Sequence, residues 1–196
     1  MATCDGLITA DILFDCLNSS TAGLETNVLL INRKQIDYSA VTFDATVTSL
    51  MTNFQLLSGN TGYLLQGVKQ NQSGASEIVQ KEFSSNKVKH TFSGVVLNPT
   101  AENIEQLNLM NDGGEFVAIV ERKFKGEDND DAFLVFGFHL GLYLTTITYN
   151  TNENDGVIQF TLESADGSEE PRLPYVLLET DYATTKTAFD NKFAEA

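Results

Sequence analysis

Residues 133–150 read FLVFGFHLGLYLTTITYN, an apolar, aromatic and threonine-rich run broken only by Gly137 and Gly141. β-Branched and aromatic residues at this density mark extended chain. An interior glycine weakens a strand unless it serves a bulge or a close backbone approach. The run is therefore either one long bent strand or two strands joined at a kink. On its N-terminal side EFVAIVERKF is a further strand, separated from the run by the polar break GEDNDD; on its C-terminal side the turn NTNENDG leads into VIQFTLES and predicts a hairpin.

The same grammar continues toward the N-terminus. LITADILFDCL begins the ordered chain, and TNVLLIN after the turn-like SSTAG is a strand. From Arg33 to Leu57 an alternation runs through Ile36, Tyr38, Val41, Phe43, Ala45 and Val47. GNTG at 59–62 predicts a glycine-rich tip joining two strands, the second being YLLQGVK, as a hairpin over 54–69. QNQSGAS, 70–76, has the composition of a mobile loop, and EIVQKEF and KVKHTFSGVVL follow as strands. The pattern changes after NP: Thr100 is placed as an N-cap, Glu102 lies in the first turn where the macrodipole favours an acid, and Ile104, Leu107 and Met110 form an apolar stripe that NDGG ends. One helix over about 100–111 is expected to lie across a sheet. Pro171 and Pro174 argue against a regular central strand in PRLPYVLLE. The polar tail at about 180–196, with Tyr182, Phe189 and Phe193 set apart, is expected as an extended arm. Residues 1–196 thus read as a single β-rich domain with one packed helix.

With 196 residues, 42% of them apolar, the chain has the means to build a core. No apolar stretch reaches bilayer length, and MATCDGLITAD has neither a basic leader nor a signal-like segment, so no membrane contact and synthesis in a cytoplasm are expected. Lysine and arginine number 12 against 27 acids, a formal charge of −15 that repels nucleic-acid phosphates. The mild basic cluster of Lys81, Lys87 and Lys89 is interspersed with Glu77 and Glu82 and reads as a solvated strand face. Cys4 and Cys16 could meet if the intervening segment doubles back, but they read first as small buried residues.

Catalytic patterns are missing. There is no GxSxG elbow, and His139 sits in an apolar strand pattern as a structural histidine. No motif fixes two carboxylates around a sugar. The acidic loop with Glu127, Asp128, Asp130 and Asp131 lacks the spacing of an EF-hand, and the glycine turns lack P-loop and Rossmann patterns. The expectation is a protein without catalysis, metal or cofactor.

Strands with a long hairpin, one helix and then strongly apolar strands, in an acidic chain of this size, resemble the tail-tube proteins of long-tailed bacteriophages. The stretch CDGLITADILFDC, followed by SSTAGL and NVLLIN, also resembles virion proteins from phages of Bacteroidota-type hosts. The resemblance implies a β-sandwich or partly rolled barrel flanked by the helix, subunits closing into rings, commonly hexameric, and rings stacking into a hollow tube of the virion tail through which DNA passes without tight binding. Its partners would be itself and other tail proteins. A long strand with open edges endangers a monomer, whereas a ring pairs those edges. Contact between rings is expected at Gly59, Asn60, Thr61, Gly62, Gln70, Asn71, Gln72, Ser73 and Gly74, with the N-terminal segment and the C-terminal tail as second choices. Other ring, connector or head-decoration proteins share this character. A carbohydrate- or surface-binding β-sandwich using exposed tyrosines, or an acidic hydrolase, are the readings from other classes.

Overall fold

The computed structural model describes residues 7–68 and 70–194. They form a mainly β fold of two sheets. The larger is mixed and contains, in spatial order, β2 (Thr42–Phe43), β3 (Leu50–Asn53), β11 (Tyr175–Leu177), β8 (Phe133–Phe136), β7 (Phe116–Arg122), β1 (Leu24–Asn32) and β4 (Tyr63–Gln66). The smaller is antiparallel, in the order β5 (Ser73–Val79), β6 (Lys87–Val96), β10 (Ile158–Glu163) and β9 (Tyr143–Tyr149). Helices α1 (Ala101–Asn111) and α2 (Tyr182–Asp190) flank them. The arrangement is an open-edged sandwich rather than a closed barrel.

The run 133–150 is two strands, and they belong to different sheets. FLVF is β8, in the interior of the larger sheet between β7 and β11; YLTTITY is β9, at the margin of the smaller one. The kink is the turn 137–141, closed by Gly141 N–H donating to the Gly137 carbonyl at 3.0 Å. Both glycines have positive φ, +74° and +85°. At Gly137 a Cβ would lie 2.5 Å from Leu142 Cγ, so the turn needs glycine for conformation and for space.

FLVF is continuously apolar because the larger sheet is covered on both faces. Along β8, Phe133 and Val135 enter one core cluster while Leu134 and Phe136 face the other; along β7, Val117 and Ile119 alternate with Phe116, Ala118 and Val120 in the same way. A strand covered on one face alone would alternate with polar residues. The first cluster is closed by Ile36, Phe54, Leu56, Phe189 and Phe193; the second lies against Phe92, Phe160 and Leu162 of the smaller sheet and Leu107 of α1. Fully burying side chains of this kind contributes about 1.5–3 kcal/mol each before entropy is counted.

Helix α1 follows the sequence pattern. Thr100 caps it, accepting from Asn103 N–H at 3.3 Å, Glu102 occupies the first turn, and Gly113 takes φ +96° beyond its end. Leu107 is buried, with Ile104 and Met110 packed beside it. The β9–β10 hairpin is also as expected.

Four expectations are corrected. No hairpin spans 54–69: β3 pairs with β2 and β11, while β4 lies at the opposite margin of the sheet against β1. The mobile loop expected at 70–76 is largely strand, because β5 pairs with β6 in an unbroken register from Ser73↔Ser93 to Val79↔Lys87. The tail is not an arm over 180–194 but carries a second helix: Asp181 caps α2 by accepting from Thr184 N–H at 2.7 Å, and Phe189 is buried. Lys192 and Phe193 then take positive φ, and the chain turns Phe193 back into the core. Lastly, β11 is central despite the prolines. It starts one residue after Pro174 and runs parallel to β3, so neither proline ring replaces a ladder N–H.

LITADILFDCL, expected to begin the ordered chain, belongs to no strand or helix and keeps its large apolar side chains in solvent: Leu7, Ile8, Ile12, Leu13, Phe14 and Leu17 are all exposed. Cys16 is exposed rather than buried, and Cys4 lies outside the described residues, as does the pairing of the two.

Candidate functional site

Two features stand out once the strands are placed: a polar clasp at the crossing between the sheets, and the uncovered margins of the smaller sheet.

The clasp holds the 137–141 turn. Glu170, almost fully buried, accepts from His139 N–H at 3.0 Å and Leu140 N–H at 2.8 Å, while its own backbone bridges to Val88. Burial raises its carboxyl above the ordinary value, against the opposing pull of the backbone donors. Arg33 reaches the His139 carbonyl and pairs with Glu115 at 2.9 Å. His139 Nε2 lies 2.7 Å from the Tyr175 hydroxyl. On the other side of the turn, buried His90 accepts from Gly137 N–H through Nδ1 at 3.1 Å, which places its proton on Nε2, where it donates to the Arg172 carbonyl at 2.9 Å. Burial holds this imidazole far below its ordinary 6.5, at about 4, and therefore neutral. His139, expected within an apolar strand, lies instead in the 137–141 turn, where its ring is hydrogen-bonded to Tyr175. His90 and Glu170 carry no sequence signal of their own, since their partners are backbone groups supplied by distant segments.

Most of the clasp's hydrogen bonds run to backbone groups, and together they join β6, the 137–141 turn and the 170–175 segment. Beside it lies a shallow cleft of about 410 Å³ lined by Lys81, Lys87, His139 and Glu169. Lys81 pairs there with Glu169 at 2.7 Å, and Lys89 pairs with Glu163 at 2.9 Å, so two lysines of the basic cluster face acids. In the acidic loop Asp131 lies 3.8 Å from Arg122. Among the described residues no group of three histidine, cysteine or acidic side chains is placed to hold a metal ion. No helix among them is long and apolar enough to cross a membrane.

The margins of the smaller sheet are β5 and β9, seven residues each. By register, Ile147 lies opposite Phe160 and Tyr149 opposite Ile158, so they share the face that packs on the larger sheet. Yet Ile147 is 43% and Tyr149 48% exposed, while Phe160 and Ile158 are buried. Ile78 of β5, opposite Val88, is 69% exposed on the same face. The core-facing side thus extends past its cover at both margins. β9, YLTTITY, contains neither charge nor proline, and β5 has Glu77 as its sole charge. Charges and prolines are the devices by which natural proteins protect an open edge.

The nine residues expected at a contact between rings fall into two groups at opposite ends of β4. Gly59, Asn60, Thr61 and Gly62 form a turn in which Asn60 Nδ2 donates to the Leu57 carbonyl at 2.8 Å, and Gly62, buried, donates to the Lys192 carbonyl beyond α2 at 2.8 Å. Gln70 packs by Gly23 at the other end; Asn71 accepts from Val68 N–H at 3.2 Å; Gln72 is buried; Ser73 and Gly74 begin β5, with Gly74 leaving room for the Phe136 ring. The fold does not bring the two groups together. The exposed tyrosines Tyr38, Tyr63 and Tyr149 likewise stand on separate elements.

Comparison with protein-family models, with curated proteins and with solved structures returns no match.

Proposed function

We propose that this chain is a structural subunit that self-associates through the margins of its smaller sheet into closed rings, and that the rings stack as the tail tube of a bacteriophage virion. The observation that carries the reading is the pair of open margins β5 and β9, which between them expose Ile78, Ile147 and Tyr149. Each offers seven residues of strand with one side unpaired; on the core-facing side β9 leaves Ile147 and Tyr149 uncovered and β5 leaves Ile78. A β5 margin meeting the β9 margin of a neighbour is a heterologous contact, which closes into a ring when the rotation between subunits permits. The tail-tube assignment adds the layout resemblance and the charge of −15, which would let DNA pass without adhering. Partners on this reading are further copies of the chain and other tail proteins.

Ile147→Lys and Ile78→Lys test it. Each puts a charge on a margin the isolated subunit leaves exposed, so folding is preserved while association is opposed. Light scattering after size exclusion should show wild-type oligomers and variant monomers. Oligomers undiminished in both variants would refute the proposed margins.

A further inference from the structure

The N-terminal arm has the pattern of a strand but no sheet to join. Ile8, Ala10, Ile12, Phe14 and Cys16 alternate with a second set that holds Thr9, Asp11 and Asp15. Period-two alternation of this kind marks a strand covered on one face. Yet Ile8, Ile12 and Phe14 are 80–89% exposed, a costly state for so apolar a segment. The larger sheet, for its part, ends at β4, which pairs with β1 alone. Tyr63, Leu64 and nearby Val68 are 40–50% exposed there, and residues 56–68 carry no charge to protect the edge. Gly67 N–H donates to the Thr26 carbonyl, so by the alternation of an antiparallel ladder the backbone groups of Leu64 and Gln66 point away from β1.

The two faces of this margin differ as those of the arm do. Tyr63 and Leu65 lie opposite Leu30 and Val28, on the side of the smaller sheet. Leu64 lies opposite Leu29, on the side of α2, where exposed Lys192 accepts from Gly62 N–H at 2.8 Å through its carbonyl. Glu25, beyond the other end of the β4 pairing, faces Lys125 at 3.8 Å. An added strand thus needs apolar residues toward the smaller sheet and gains from acids toward Lys192. Ile8, Ile12 and Phe14 meet the first requirement, and Asp11 and Asp15 meet the second.

We infer that residues 8–16 of one copy add to the β4 margin of a second copy as a further strand of its larger sheet. The inference rests on the self-association reading and deepens it by naming a contact separate from β5 and β9. An arm laid on its own margin would have to end at Gly23, beside Gln70 and the C-terminal end of β4, and so would run parallel to β4. An arm from another copy is free to pair antiparallel, the more stable arrangement. Main-chain bonds at the margin would supply affinity, and the alternating side chains would supply register.

Residue-resolved hydrogen exchange on the full chain tests it, with sedimentation to report the oligomer. Ile12→Asp changes a side chain that is 89% exposed in the subunit, so the fold is kept. In the assembled wild type the Leu64 and Gln66 amides should exchange roughly tenfold more slowly than in Ile12→Asp. Lys192→Glu should speed their exchange, and Asp11→Lys with Asp15→Lys in the same chain should restore the protection. Equal exchange in oligomeric wild type and in Ile12→Asp would overturn the inference while leaving self-association intact. Protection that persists on dilution to the monomer would mean that each arm covers its own margin, and would overturn it as well. A chain monomeric at every concentration overturns both.

Discussion

Acidification should loosen the fold through His90. Its Nδ1 accepts from Gly137 N–H, and a proton placed there would set donor against donor at the turn that joins the sheets. The ring is 2% exposed and its pKa is held at about 4, against 6.5 when exposed. Because the folded value is depressed, the unfolded chain binds the proton more readily; the contribution of neutral His90 is complete above about pH 6.5 and is lost as pH falls toward 4. At 1.36 kcal/mol per unit, the separation corresponds to roughly 3 kcal/mol in all, of which about 2 kcal/mol is lost between about pH 7.5 and pH 5. Glu170 acts in the opposite sense, since its raised value adds stability below its ordinary pKa and removes it as pH rises. The difference between wild type and His90→Asn isolates the histidine. Urea unfolding of both proteins across this range should show the stability gap narrowing by about 2 kcal/mol as the pH falls, with equal m values. A gap independent of pH, or a His90 ring that titrates near 6.5 by NMR, would refute the reasoning.

Glu170→Ala should cost on the order of 1–3 kcal/mol by removing the acceptor of two part-buried N–H groups, and Glu170→Gln less, because its amide oxygen retains one of them; equal urea midpoints for the two variants would contradict this. Phe189→Ala should cost about 3–5 kcal/mol in thermal or urea unfolding, whereas a loss under about 1 kcal/mol would mean that α2 does not seal the core. Gly137→Ala combines a positive φ with a Cβ that meets Leu142, and should destabilise by more than about 1 kcal/mol; a neutral midpoint would show that the turn adapts.

The parts legible in the sequence are those governed by local chemistry. Thr100, Glu102 and the glycines of NDGG lie within a few residues of the backbone they cap, so α1 is written out in order. The β9–β10 hairpin is marked by a turn between two apolar runs. Pairing between distant segments leaves no such trace. GNTG has the look of a hairpin tip, yet the chain around it leads from β3 to the far margin of the sheet, because Leu64 and Leu65 pair with Leu29 and Val28 rather than with β3. Helix α2 is hidden for a different reason. Tyr182, Phe189 and Phe193 have helical spacing, but the threonines and alanines between them dilute the stripe. Asp181 before the run is the signal available. The clasp is the least legible part, since Glu170 and His90 bind backbone atoms that any side chains could have accompanied. The apolar run that suggests an exposed strand owes part of its length to β8, which is interior; the open margin belongs to β9.

Electron microscopy of the purified full chain is the most direct test of the proposed assembly. The account predicts closed rings of rotationally related subunits, or tubes of such rings, whose walls are joined through β5 and β9. Uniform particles of 21.5 kDa at every concentration, with both margins open to solvent, would contradict it.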